Sequence, residues 1–176
     1  MIQITVMGLP APQGSKRYVG QSRAGRGILV ESSAKVKPWR EDVRAACERF
    51  IETCGIMRDV SAGYGPGQIR DVRVVPNGDS AVLALPLDCP LRVRMVFTLP
   101  APASLPKKRP SHPMRLPDLS KLVRSTEDAI TSAGLWRDDA RVVECTAAKT
   151  YPAHVMGAHP EALPAPGCRI TIELYP

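Results

Sequence analysis

Asp118-Leu119-Ser120-Lys121-Leu122-Val123-Arg124-Ser125-Thr126, running on through Ile130 and Ala133 to Gly134-Leu135-Trp136-Arg137-Asp138-Asp139, decides how this chain is read. Leu119, Leu122, Val123, Thr126, Ile130 and Ala133 recur at helical spacing and make one continuous apolar stripe. Asp118 suits the N-cap and Gly134 the residue just past the end. Before the helix, Leu91, Val93, Met95 and Phe97 alternate with Arg92, Arg94 and Thr98, the period of a strand with two unlike faces. After it, Val142 to Thr150 reads as another strand.

Working outward, Ile2 to Gly8 alternates and is rich in β-formers. Leu9 to Arg17 breaks that pattern with prolines and a glycine, so Lys16 and Arg17 fall in a loop together with Arg23 and Arg26. Gly27 to Glu31 reads as a short second strand. Val36, Trp39, Val43, Ala46, Cys47, Phe50 and Ile51 predict an amphipathic helix, with Pro38 in its first turn and Gly55 just beyond its end. Residues 56–88 read as an insertion in which Val72 to Val75 and Ala81 to Leu85 pair across Pro76-Asn77-Gly78-Asp79. A Pro-rich basic loop spans 100–116, a Pro/Ala/Gly/His loop spans 152–167, and Arg169 to Tyr175 is the last strand. The order β, β, α, β, α, β, β predicts a single α+β (α/β) domain, a mixed sheet packed by two main helices.

A net charge of +7 favours a polyanionic partner. Aromatic residues are only 5% of the chain, which favours recognition of backbone and shape over base stacking. No stretch is apolar enough to span a bilayer, and the N-terminus lacks the basic region of a signal peptide. A cytoplasmic protein without a membrane partner is therefore expected. The five cysteines form no CxxC pair and read as buried free thiols. His154 and His159 read as surface-loop residues.

The residues that carry chemistry are acidic groups following a basic segment. From Cys89 to Pro117 there is no acid, but Arg92, Arg94, Lys107, Lys108, Arg109 and Arg115 are present. Asp118 reads either as a plain N-cap or as a cap that keeps a lone pair for a metal. Asp138 and Asp139 read either as a solvated turn or as a metal-facing pair. Mg²⁺ is ordinarily held by one or two carboxylates plus phosphate oxygens and water, so so sparse a set is sufficient. Ser120, Arg124 and Glu127 share one side of the helix, as an exposed ion pair or with Arg124 on a phosphate. Lys16, Arg17, Lys107, Lys108, Arg109 and Arg115, with His112 nearby, are the candidate DNA contacts.

In three places the chain resembles the RusA-like family of Holliday junction resolvases, found in phages and prophages. These are Gly8 to Arg17, Val30 to Cys47 with Lys37-Pro38-Trp39-Arg40, and Pro117-Asp118-Leu119 through Trp136-Arg137-Asp138-Asp139 to Lys149. The last is the specific one. The resemblance implies a homodimeric, Mg²⁺-dependent endonuclease, with Mn²⁺ as substitute, in a bacterial or phage-infected cell. Such an enzyme binds four-way DNA junctions by shape and nicks two strands symmetrically in recombination or repair. It implies Asp118 and Asp139 as catalytic metal ligands, with Asp138 at the neighbouring acidic position. Two positions depart from the family pattern. Ser120 stands where a second aspartate is usual, and Arg124 stands where an active-site lysine is usual. Arginine keeps the charge but does not readily lose a proton.

Overall fold

The structure, a computed structural model, describes residues 1–14, 16–21, 27–31, 34–59, 70–76 and 82–176. β1 (Ile2–Met7) buries Ile2, Ile4 and Val6 and exposes the residues between them, as its alternation requires. It pairs antiparallel with β9 (Gly167–Leu174), which pairs antiparallel with β7 (Leu91–Thr98). β7 pairs parallel with β8 (Val142–Thr150), so the main sheet is mixed, in the order β1-β9-β7-β8. A parallel pair needs a crossover, and α2 (Leu119–Ser132) supplies it. β7 is interior to the sheet. Its Leu91, Val93, Met95 and Phe97 form the core row, and Val96 and Thr98 are buried on the opposite face.

α1 (Val36–Thr53) begins with Pro38 in its first turn and buries Val36, Trp39, Val43, Ala46 and Cys47. It packs against α2 and β1. Trp39 joins three elements. Its ring lies 6.5 Å from that of Phe97 on β7, and its Nε1 donates to Thr126 Oγ1 on α2 at 3.1 Å. α2 ends at Gly134, whose φ of +74° is the left-handed conformation that a C′ glycine supplies without strain. The expected α+β fold, with two helices on a mixed sheet, is thus present.

The smaller elements depart from the sequence reading. Lys16 and Arg17 do not sit in a loop: they open β2 (Lys16–Gln21), which pairs with β3 (Gly27–Glu31). Arg23 and Arg26 lie outside the described residues. Gly55 does more than end α1, because it begins β4 (Gly55–Asp59). β4 pairs with β5 (Arg70–Pro76), and β5 with β6 (Val82–Ala84), giving a three-stranded antiparallel sheet. The expected hairpin is therefore present as β5 and β6, although the turn residues 77–79 and Ala81 lie outside the described residues. Val75 joins the main core and Leu83 and Leu85 pack against it.

The thiols are all free, but not all are buried. Burial pushes Cys47 up to about 12, which keeps it protonated. Cys145 is exposed because β8 is the edge strand of its sheet. His154 is exposed, and His159 accepts from the Glu161 backbone N–H through Nδ1 at 3.1 Å, both within the 152–167 loop.

Candidate functional site

Asp118 occupies the N-cap position with an extended backbone (φ −68°, ψ 133°), but its side chain makes no cap hydrogen bond. The carboxylate turns instead to Lys121, one turn on, at 3.0 Å. Below it, Lys149 at the end of β8 donates to the carbonyls of Arg115 (2.8 Å) and Pro117 (3.0 Å). Lys149 thus clamps the chain entering α2 and sets an ammonium close to Asp118. Its role could not be read from sequence, since only the β7–β8 register brings it there.

At the far end of α2 the acids crowd. Glu127 is half-buried, and its carboxyl is pushed up by burial, then by Asp139 and by Asp128. Asp128 is engaged by Arg40 from α1. The Cys145 thiol, on an exposed residue, is pushed up by the partial burial of its sulfur and then by Glu127. Asp138 spends one oxygen on a cap: its Oδ1 accepts from Ala140 N at 2.8 Å and starts the 3-10 turn Asp139–Arg141. Asp139, within that turn, is exposed.

The turn is fixed from below. Leu87 and Trp136 form a bridge, with Leu87 N donating to Leu135 O and Arg137 N to Leu87 O, each at 2.9 Å. Asp88 accepts from Arg137 (2.6 Å) and from Arg141 (2.5 Å). Those hydrogen bonds, Arg137's first, hold the Asp88 carboxyl below the usual range. Asp88 is a positioning residue that no motif announced.

Asp118 and Asp139 therefore flank a helix of 14 residues, about 21 Å long at 1.5 Å per residue. Ser120 and Arg124 are exposed on the first two turns, and no Arg124–Glu127 ion pair forms. Among the described residues, no three His, Cys, Asp or Glu side chains come close enough to hold an ion between them. The pair Glu127 and Asp139 still fits Mg²⁺ by donor chemistry. Both are hard oxygen ligands, and the charged form of Glu127 is destabilised by burial and then by its acidic neighbours, which a cation would relieve.

That crowding has a measurable sign. The folded chain keeps the Glu127 proton above the ordinary 4.5. It therefore holds more protons than the unfolded chain between that value and the raised one, and stability falls as pH rises through this window. Glu127→Gln is expected to remove the fall and to raise Tm at neutral pH. Thermal melts from about pH 4 to 8 check this; an unchanged slope with a lower Tm would show that the acids do not repel one another.

The cations lie on the other side of Asp118. Lys107, Lys108, Arg109, His112 and Arg115 are all exposed in the segment between β7 and α2. This segment is not loose. Leu99 N donates to Thr150 O at 2.8 Å, and Ser111 N to Met156 O at 3.0 Å. At Gly157 (φ +85°) the backbone lies so near Pro110 that a Cβ would stand 2.8 Å from the Pro110 Cβ. The side chains of Lys16 and Arg17 are outside the described residues.

A basic α+β domain with an ordered cationic segment leading to spaced carboxylates has the charge pattern of proteins that act on nucleic acid. The family model described as Endodeoxyribonuclease RusA matches residues 79–158, just under half of the chain. Over that segment, which runs from before β6 through β7, α2 and β8 and includes Asp118, Asp138 and Asp139, the chain is RusA-like. The family is one of junction-resolving endodeoxyribonucleases that act on branched DNA. Gly8 to Arg17 and Val30 to Cys47 lie outside the match. No curated protein matches the chain, and no helix among the described residues is long and apolar enough to cross a membrane.

Proposed function

We propose that this protein is a Mg²⁺-dependent, structure-selective endodeoxyribonuclease that binds four-way junctions as a homodimer and nicks two strands symmetrically in recombination or repair. Mn²⁺ would substitute, and the setting is the cytoplasm of a bacterial or phage-infected cell. The observation that carries the reading is the placement of acids at both ends of α2 inside the RusA-like segment. One copy offers Glu127 and Asp139 at one end and Asp118 at the other. A two-fold pair of copies sets the first group of one against the Asp118 of the other, twice over, and gives two equivalent sites for two cuts.

Glu127, Asp139 and a second copy's Asp118 would hold the metal, with Asp138 shaping the turn. When bound, the metal supplies Lewis-acid polarisation of the phosphate and a more acidic water. The chain's own work is binding and charge. Lys107, Lys108, Arg109 and Arg115, with Lys16 and Arg17, neutralise backbone phosphates, which makes affinity fall steeply with salt. Arg124, exposed one turn from Glu127, offers its guanidinium to charge that develops on the phosphate. It stays protonated and serves as an electrostatic group, not as a proton carrier.

A second reading rests on Ser120. This exposed hydroxyl on the first turn of α2 is a weaker donor than a carboxylate, and it favours a branched-DNA binder with impaired cleavage. A labelled four-way junction, incubated with and without Mg²⁺, separates the two. Paired symmetric nicks that need Mg²⁺ are expected. Tight binding at salt matched to a linear duplex, with no nicks in either metal, would replace the first reading by the second. Equal affinity for junction and duplex would remove both.

A further inference from the structure

The chain after β1 and the chain before α2 enclose a cleft of about 580 Å³ beside Asp118. Its size is that of an ordinary small-molecule site. Leu9, Pro12, Leu99, Pro102 and Tyr151 make its walls apolar. Three other lining residues, Lys35, Arg115 and Lys121, are exposed cations, against the single acid Asp118. The cleft is preformed. Ser125 Oγ donates to Ala11 O at 2.7 Å, Gln13 N to Lys121 O at 3.0 Å, and Leu99 N to Thr150 O at 2.8 Å. Gln13 lines the cleft as well, and its Oε1 is shielded from solvent without a hydrogen-bond donor among the described residues. A buried acceptor without a donor is costly, so a donor arriving in the cleft is favoured there.

We infer that this cleft receives one nucleobase of a junction strand, unstacked at the crossover, while the adjoining phosphate lies on Lys35, Arg115 and Lys121. This rests on the junction-binding reading above and adds a base-discriminating subsite to it. Three cations around an apolar hollow fit a group that is flat and apolar in its body and anionic at its attachment, which describes a nucleotide. Tyr151 is largely buried, and the part of its phenol ring that lines the cleft offers a base an aromatic contact. Gln13 discriminates. Turned toward the cleft, its Oε1 accepts from an exocyclic amino group, so an amino-bearing base is preferred over thymine. Unstacking costs least where pairing is already interrupted, as at a crossover.

The test is photocross-linking of the full chain to a four-way junction without divalent metal. 5-Iodocytosine is placed in turn at each position flanking the crossover, and cross-linked peptides are identified by mass spectrometry. One position is expected to cross-link to the Tyr151 peptide, and 5-iodouracil at that position several-fold less. Gln13→Leu should erase the difference between the two bases. Pro102→Trp, at an exposed wall position, should fill the cleft and cut the cross-link at least about tenfold while junction preference over duplex is kept. Cross-links confined to the Lys107–Arg109 segment would overturn the inference, as would wild-type yield from Pro102→Trp. So would conversion of a dimer to monomer by that variant, because a second copy would then be the occupant. If Pro102→Trp does not fold, Gln13→Leu decides alone, and a persisting base difference counts against the subsite. Absence of junction preference in the wild type would instead remove the underlying reading.

Discussion

Mixing Asp118→Asn with Asp139→Asn is expected to restore junction nicking that neither variant shows alone. Each substitution removes one anionic oxygen ligand at nearly constant shape. Transition-state charge stabilisation of several kcal/mol is at stake at such a site, so each single variant should lose about a hundredfold or more in cleavage rate. Neither should unfold. Asp139 is exposed, and Asp118 makes no cap hydrogen bond, only a partly exposed ion pair with Lys121, of the kind worth about 1 kcal/mol or less.

The mixture separates two geometries. If both aspartates of one site come from one chain, every chain in the mixture is damaged and no site is whole. If they come from two chains, a mixed dimer carries one doubly damaged site and one intact site. It should then nick one strand of the junction without a matching second cut. A gel resolving the labelled strands reads this directly. A mixture that stays inactive while mixed dimers are demonstrably formed would refute the two-copy arrangement.

The strands and helix that flank the candidate site were legible because their periodicity is strong. Leu91 to Thr98 and Val142 to Thr150 appear as strands close to the limits read from sequence, and α2 ends at the glycine marked for it. β4 was not legible. Gly55-Ile56-Met57-Arg58-Asp59 shows no clean alternation and follows a helix, and it becomes a strand by pairing with β5. Lys16 and Arg17 were misread for the same reason, since Pro10, Pro12 and Gly14 dominate the local signal while pairing with β3 decides the outcome.

The acids of the site were legible as types but not as a set. Asp118 and Asp139 stand on either side of 14 helical residues in the sequence, about 21 Å of helix. That Asp139 lies near enough to push the Glu127 carboxyl up depends on residues 135–137 lying along Leu87 and on Asp88 gripping Arg137 and Arg141. Neither contact has a sequence signature, because each joins residues about 50 positions apart through single hydrogen bonds.

Trp39→Ala is expected to cost about 3–5 kcal/mol, the largest stability loss of any single change considered. Trp39 is fully buried, lies against Phe97 and donates to Thr126. Truncation removes the ring and leaves a cavity between α1, α2 and β7. A domain of this kind has only about 5–15 kcal/mol in total, so the variant should melt about 10 °C lower or be largely unfolded at 37 °C. Trp39→Phe keeps most of the volume and loses the N–H together with part of the ring. The Thr126 hydroxyl still donates to Leu122 O at 2.9 Å, so the expected cost is nearer 1 kcal/mol. Urea unfolding measures both, and a loss below about 1 kcal/mol for Trp39→Ala would show that the site collapses to fill the gap. The contrast bears on function because Trp39 ties α2 to β7 through Thr126 and Phe97. α2 carries Asp118 at its N-cap and Glu127 more than two turns further on, so a loosened helix shifts both relative to the anchored turn at Asp139. Trp39→Phe should therefore retain cleavage, whereas Trp39→Ala, assayed at a temperature where it is still folded, should lose cleavage more than it loses junction binding.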